Sequence, residues 1–143
     1  MRFSRDVNLH IDVSGLEDIK FLRSVKSIFS TMSQSLKILK ALTDATRLRL
    51  VALLSREELS VNELKEITEL GQSRISTHLG VLQDNGLLKF RKDGKRSLYR
   101  INPEANSQAR ECLEIARRIA TEGDENEQDA RNLKRVLEQR SEQ

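Results

Sequence analysis

Between Leu88 and Arg100 six basic side chains, Lys89, Arg91, Lys92, Lys95, Arg96 and Arg100, stand against a single acid, Asp93. A cluster of that sign and density suits polyanion contact, because each cation that meets a phosphate releases condensed counterions. Just upstream, Ser73, Ser76, Thr77, Gly80 and Asp84 share one side of a helical wheel, opposite Ile75, Leu79 and Leu82. Short hydroxylated side chains allow close approach to another macromolecule, whereas a solvated face in so charged a chain would carry Lys and Glu. Other chemistry is poorly supplied. The only thiol is Cys112 and the only imidazoles are His10 and His78. There is no CxxC pair, no Gly-rich phosphate loop and no Ser/His/Asp or carboxylate set, so catalysis is not expected, and neither a cofactor nor a metal.

The elements that position these residues follow from apolar spacing. Leu16, Ile19, Leu22, Val25, Ile28, Phe29 and Met32 predict an amphipathic helix over about 16–32, and Leu36, Leu39 and Leu42 a second helical segment. Thr43 or Asp44 is placed to cap a third, with Leu48, Val51 and Leu54 on one face and Arg47 and Arg49 elsewhere. Ser60 and Glu63 have capping-box spacing and open a short helix bearing Val61, Leu64 and Ile67, which Gly71 breaks. A helix then runs from Gln72 to about Asn85 and stops at Gly86. Leu88–Arg91 and Ser97–Ile101 flank Asp93-Gly94, a hairpin signal, with Phe90, Leu98 and Ile101 expected to face inward. Asn102 and Pro103 predict the start of a helix reaching Thr121, with Gly123 as its stop, and a last helix spans about 125–140.

At 143 residues, with 33% charged and 37% hydrophobic residues, the chain suits one helix-rich globular domain with appended helices. No apolar run approaches the roughly 20 residues of a membrane span, and residues 1–15 show no apolar stretch like that of a signal peptide. A reducing, cytoplasmic location is expected, with no membrane partner. The net charge of +3 is too small to mark a nucleic-acid binder, so the local excess at 88–100 carries that argument; the segment 124–143 is net acidic.

Helix, helix, short helix, polar-faced helix and basic hairpin, in that order, are the plan of a winged helix-turn-helix: mainly α with a small β-hairpin and extra N-terminal and C-terminal helices. In that plan one helix enters the major groove and the wing follows the backbone. Ser73, Arg74, Ser76 and Thr77 are the expected base readers, Arg74 foremost for guanine. Gln72, His78, Arg91, Lys92, Lys95 and Arg96 are the expected backbone contacts.

The segments LKALTDATRLRLVALL (39–54), QSRISTHLGVLQDNGLL (72–88) and KFRKDGKRSLYRI (89–101) make residues 33–121 resemble the ArsR/SmtB family of bacterial winged-helix repressors. That family's recognition helix carries a Ser-x-x-Ser-x-His-Leu core, matched by Ser73, Ser76, His78 and Leu79; Gly80 stands where a basic residue is usual. The resemblance implies a homodimer on a two-fold symmetric double-stranded DNA operator, held by its first and last helices and released by an inducer. The corresponding surface is Leu22, Val25 and Phe29 with Ala109, Cys112, Leu113, Ala116 and Ile119. The family's metal sites do not carry over: Ser60-Val61-Asn62 replaces the paired cysteines, and residues 103–121 contain neither Asp nor His.

The expected division is an N-terminal extension and dimerisation helix (1–33), the DNA-binding core (34–101), a dimerisation helix (102–122) and a charged helix or linker (123–143). Cys112 reads as a small apolar residue rather than a redox switch, and His78 as a packing or phosphate-contact residue. Two other readings remain: the DNA-binding module of a regulator–methyltransferase fusion, and a winged helix used only for protein contact.

Overall fold

The computed structural model describes residues 19–143 and divides the chain into two units, Met1–Gln34 and Ser35–Gln143. Leu16 and His10 lie outside the described residues. Helix α1 (Ile19–Leu42) is one helix rather than the expected two, because nothing between Met32 and Leu36 breaks it: Ser33, Gln34 and Ser35 lack the ring or the backbone freedom that would. In the first unit it exposes Phe21, Leu22, Ile28, Phe29 and Met32. In the second, Ile38, Ala41 and Leu42 are buried while Leu36 and Leu39 face outward.

The second unit holds α2 (Ala45–Leu54), β1 (Leu59–Ser60), α3 (Val61–Thr68), α4 (Gln72–Asp84), β2 (Leu88–Asp93), β3 (Arg96–Ile101), α5 (Ser107–Ala120) and α6 (Asp124–Ser141). Asp44 caps α2 by accepting from the Arg47 amide, so of the two expected caps the carboxylate is the one used. Ser60 and Glu63 form a complete capping box on α3. Helix α4 ends in Gly86 at φ +72°, with the Leu87 amide donating to Leu82 and the Gly86 amide to Gln83, the 6→1 and 5→2 bonds of a Schellman turn.

The hydrophobic core gathers Leu50 and Val51 of α2, Leu64 and Ile67 of α3, Ile75, Leu79 and Leu82 of α4, and Leu59, Leu87 and Leu88, all 0–1% exposed. At about 1.5–3 kcal/mol per fully buried aliphatic side chain, these contacts dominate the frame that carries α4. The sheet is antiparallel in the order β1-β3-β2. Periodicity gave no hint of β1, since two residues are too few to show alternation. Asp93 pairs with Arg96, so the hairpin loop is Gly94-Lys95 rather than Asp93-Gly94, with Gly94 at φ +60° supplying the positive dihedral. Phe90 does not face inward: two residues beyond Leu88 on the edge strand it is 46% exposed and rests against Tyr99 across the hairpin, ring centroids 5.9 Å apart. Leu98 is buried and Ile101 half-buried.

Helix α5 begins four residues later than Pro103 suggests. Asn102 accepts from the Glu104 amide and donates to the Gly86 carbonyl, closing its own turn, and Asn106 then caps the helix through the Ala109 amide. Helix α5 packs on α2 through Ala109, Leu113 and Ala116, all buried.

Helix α6 lies antiparallel along α3 rather than standing in solvent. Asn132 donates to the Ile67 carbonyl near the end of α3 at 2.8 Å, and Arg140 reaches Glu63 near its start at 2.8 Å. Leu133 and Val136 join the core between them. Among the described residues no helix is long and apolar enough to cross a membrane.

Candidate nucleic-acid interface

Helix α4 separates its faces by burial. Ile75, Leu79 and Leu82 are seated in the core, while Gln72, Ser73, Arg74, Ser76 and Thr77 are exposed. Among the described residues the Ser73 and Ser76 hydroxyls make no intramolecular bond, so both keep a donor and two acceptor lone pairs. The Thr77 hydroxyl instead donates to the Ser73 carbonyl at 2.9 Å, leaving acceptor lone pairs and a methyl group for a partner. Arg74, the expected guanine reader, donates to Thr46 Oγ1 of α2 at 3.0 Å, so bidentate base contact requires it to leave that hydroxyl.

His78 turns toward α2. Its Nδ1 lies 3.3 Å from Arg47 Nη1 and 3.7 Å from Asp44 Oδ1. Arg47 in turn donates to the Ala41 carbonyl and, at 3.3 Å, to the Lys40 carbonyl, which also accepts from Thr43, so it ties down the end of α1. The Arg47 amide holds the Asp44 carboxyl below the usual carboxylate range; burial opposes this, and the Arg47 and His78 charges reinforce it. Arg47 thus binds the end of α1, the cap of α2 and the recognition helix together. Sequence reading placed it only as a residue off the apolar face, and its neighbour Asp44 was the available signal.

The wing cations from Arg91 to Arg96 are exposed and Lys89 and Arg100 half-buried, but the fold brings acids to them that lie elsewhere in the chain. Arg91 Nε meets Glu58 at 2.7 Å, and Arg100 Nη1 meets the same carboxylate at 3.4 Å. Arg96 pairs with Asp93 at 3.3 Å and approaches Glu63 at 4.0 Å, and Lys89 pairs with Glu104. Glu58, Glu63 and Glu104 therefore offset much of the local positive excess counted along the sequence. Lys92, whose ammonium donates to Ser97 Oγ at 3.0 Å, and Lys95, which has no acidic partner among the described residues, remain the open cations near the tip. Burial disfavours the charged form of Glu63, yet the Ser60 amide and Arg140 outweigh that and hold its carboxyl below the ordinary value.

Of the residues expected at a subunit interface, Leu22, Phe29 and Ile119 are exposed and Val25 and Cys112 half-buried. Ala109, Leu113 and Ala116 are already covered by the chain's own core, since α5 turns that stripe onto α2; on its outer side the large exposed apolar residues are Ile115 and Ile119.

Comparison with known proteins agrees with this architecture. Residues 44–89 match the family model described as bacterial regulatory protein, arsR family. The chain is 39% identical to the arsenical resistance operon repressor of Escherichia coli, over 61% of this chain and 75% of that one. It is 44% identical to the arsenic resistance transcriptional regulator ArsR1 of Pseudomonas putida, of whose length it spans 53%. Among solved structures it resembles a homodimeric winged helix-turn-helix DNA-binding domain from Mycobacterium bovis, a possible ArsR-family regulator, with a TM-score of 0.55, 27% identity and coverage of 65% of this chain and 83% of that one. A winged helix-turn-helix with these relatives is a transcriptional regulator, and this chain belongs to the arsR family of bacterial regulatory proteins.

Proposed function

We propose that this chain represses transcription as a homodimer that binds a two-fold symmetric operator and lets go when an effector binds. The observation that carries the reading is α4 itself: an apolar stripe locked in the core holds Ser73, Ser76 and Thr77 outward, immediately before a basic hairpin. Those three side chains, with Arg74 once it leaves Thr46, read base edges in the major groove. Gln72, Arg91, Lys92, Lys95 and Arg96 contact phosphates, and His78 acts with Arg47 to set the pitch of α4 rather than as a ligand.

Two subunits place two such helices on successive turns of one DNA face. The apolar residues that α1 exposes, Phe21, Leu22, Ile28 and Phe29, and on α5 Ile115 and Ile119, supply surface of the kind a homodimer buries. The homodimeric Mycobacterium bovis relative and the name of the Escherichia coli repressor support both parts of the reading. DNase footprinting on the promoter of this protein's own gene, with a salt titration of the affinity, tests it. The expected result is a protected tract with dyad symmetry and half-sites roughly 34 Å apart. Protection without dyad symmetry overturns the dimeric reading, and binding without sequence preference overturns the regulatory one.

A further inference from the structure

A cavity of about 250 Å³ lies between α2, the end of α5 and the start of α6. Its α2 wall repeats at helical spacing, Ala45, Leu48, Arg49 and Ala52, and Arg56 follows just past the end of that helix, with Ile119, Ala120 and Gly123 also lining the space. Small residues on both sides leave the space open, and the lining is apolar except for Arg49, Arg56, Glu125, Asn126 and Asp129. The four charged side chains are not equally engaged. Asp129, buried, gives both carboxylate oxygens to Arg49, at 2.5 and 2.6 Å. Glu125 is mostly exposed and meets only Arg49 Nη1, at 3.8 Å, beyond hydrogen-bond reach. Arg56 has no acidic partner among the described residues. Two guanidiniums therefore line a largely apolar chamber, one open and the other held on one nitrogen by a displaceable carboxylate.

We propose that this cavity is an effector site for a small apolar monocarboxylate, its hydrocarbon part between α2 and α5 and its carboxylate on Arg56 and Arg49 in place of Glu125. The volume lies under the roughly 300–1,000 Å³ of sites for drug-sized ligands and suits an acid of the size of benzoate. Arg49 gives the site a route to the DNA-binding face: its Nη2 also donates to the Thr68 carbonyl at 3.0 Å, the last residue of α3 before the turn into α4. A carboxylate drawing on Arg49 thereby acts on the contact that fixes that turn. The inference rests on the regulatory reading above for its meaning, but not for its test.

The test is a titration of the full chain, without DNA, by sodium benzoate and 4-methylpentanoate, with their neutral amides as controls, followed in ¹H–¹⁵N spectra. At least one acid is expected to give saturable shifts at amides of residues 45–56 and 119–126, and with them at Glu69, Leu70 and Gly71. The amides of the same acids should bind at least tenfold more weakly, and Arg56→Gln should weaken the acid about tenfold. Ala120→Phe, at a half-buried position on the cavity wall, should abolish binding while the rest of the spectrum stays folded. Ile119 is left alone because it also belongs to the proposed subunit surface. No saturable shift with either acid, equal binding of acid and amide, or full affinity in a folded Ala120→Phe or in Arg56→Gln overturns the site. Binding that leaves residues 69–71 unmoved overturns the route through Arg49. A negative titration beside a positive footprint discards the cavity alone, and the converse discards only the DNA reading.

Discussion

Helix α4 and the β2–β3 wing follow one another in the chain, yet α4 seats three side chains no more than 1% exposed, whereas every wing residue from Arg91 to Arg96 is exposed. The wing is anchored at its base by Leu88 and Leu98, and farther out it is held by ion pairs to Glu58 and Asp93. The two halves of the candidate interface therefore answer to different forces. Packing places the helix whatever the salt, while the ion pairs of the wing compete with phosphate: Glu58 already neutralises part of the charge that Arg91 brings to DNA. The net gain from such an arginine is smaller than that from Lys95, which has no acid to leave.

The largest effect tests the packed half. Leu79→Ala should destabilise the protein by about 2–5 kcal/mol, measured by urea denaturation, because it opens a cavity under the recognition helix. A loss below that range would mean that α4 is not held by the core. Next come the two modes of DNA contact. Ser76→Ala should cost about 1–3 kcal/mol for the preferred site and little for random DNA. Lys95→Ala should weaken all sequences alike and lower the salt slope by about one phosphate. In the same salt titration Arg91→Ala should lower the slope less than Lys95→Ala does, and an equal or larger loss would show that the Glu58 pair does not persist in solution.

Two glycines sharpen the contrast further. Gly80 sits inside α4 with open space where a Cβ would stand, so Gly80→Ala should stabilise by about 0.5–1 kcal/mol in thermal melts. Gly94 stands at φ +60°, so Gly94→Ala should destabilise the wing by about 1 kcal/mol in spite of equal room.

The smallest effect is in pH. Glu63 carries a lowered folded-state pKa, so its contribution is complete above the ordinary glutamate value of about 4.5 and is lost as pH falls through the folded value. Stability measured from pH 6 down to pH 3 should fall less steeply in Glu63→Gln than in the parent chain. Identical slopes would show that the Ser60 and Arg140 contacts do not select the charged carboxylate.

Local rules made most of the frame legible. The α3 capping box, the stop of α4 at Gly86, the seated stripe Ile75, Leu79 and Leu82, and the wing's two strands all follow from spacings within a few residues. Misreadings arose where a distant partner decides. Asn102 looked like a cap because its other partner, the Gly86 carbonyl, lies 16 residues back. The Ala109, Leu113 and Ala116 stripe announced burial without saying against what, and α2 took it. The wing's charge was overcounted because Glu58, Glu63 and Glu104 are outside its sequence window. The pairing of Arg49 with Asp129, 80 residues apart, left no local trace at all.

The antiparallel seat of α6 on α3 also has a consequence in time. Its contacts to Ile67, Glu63 and Arg49 close loops of 65 to 80 residues, whereas the helix-turn-helix itself closes over a few tens. During synthesis the DNA-binding core therefore emerges and can condense before its strap exists, since local contacts form ahead of distant ones and the N-terminal part folds first. A nascent chain arrested before Asp129 has no buried carboxylate for Arg49 to meet, so the ion pair that ties α2 to α6 is among the last contacts the chain can make.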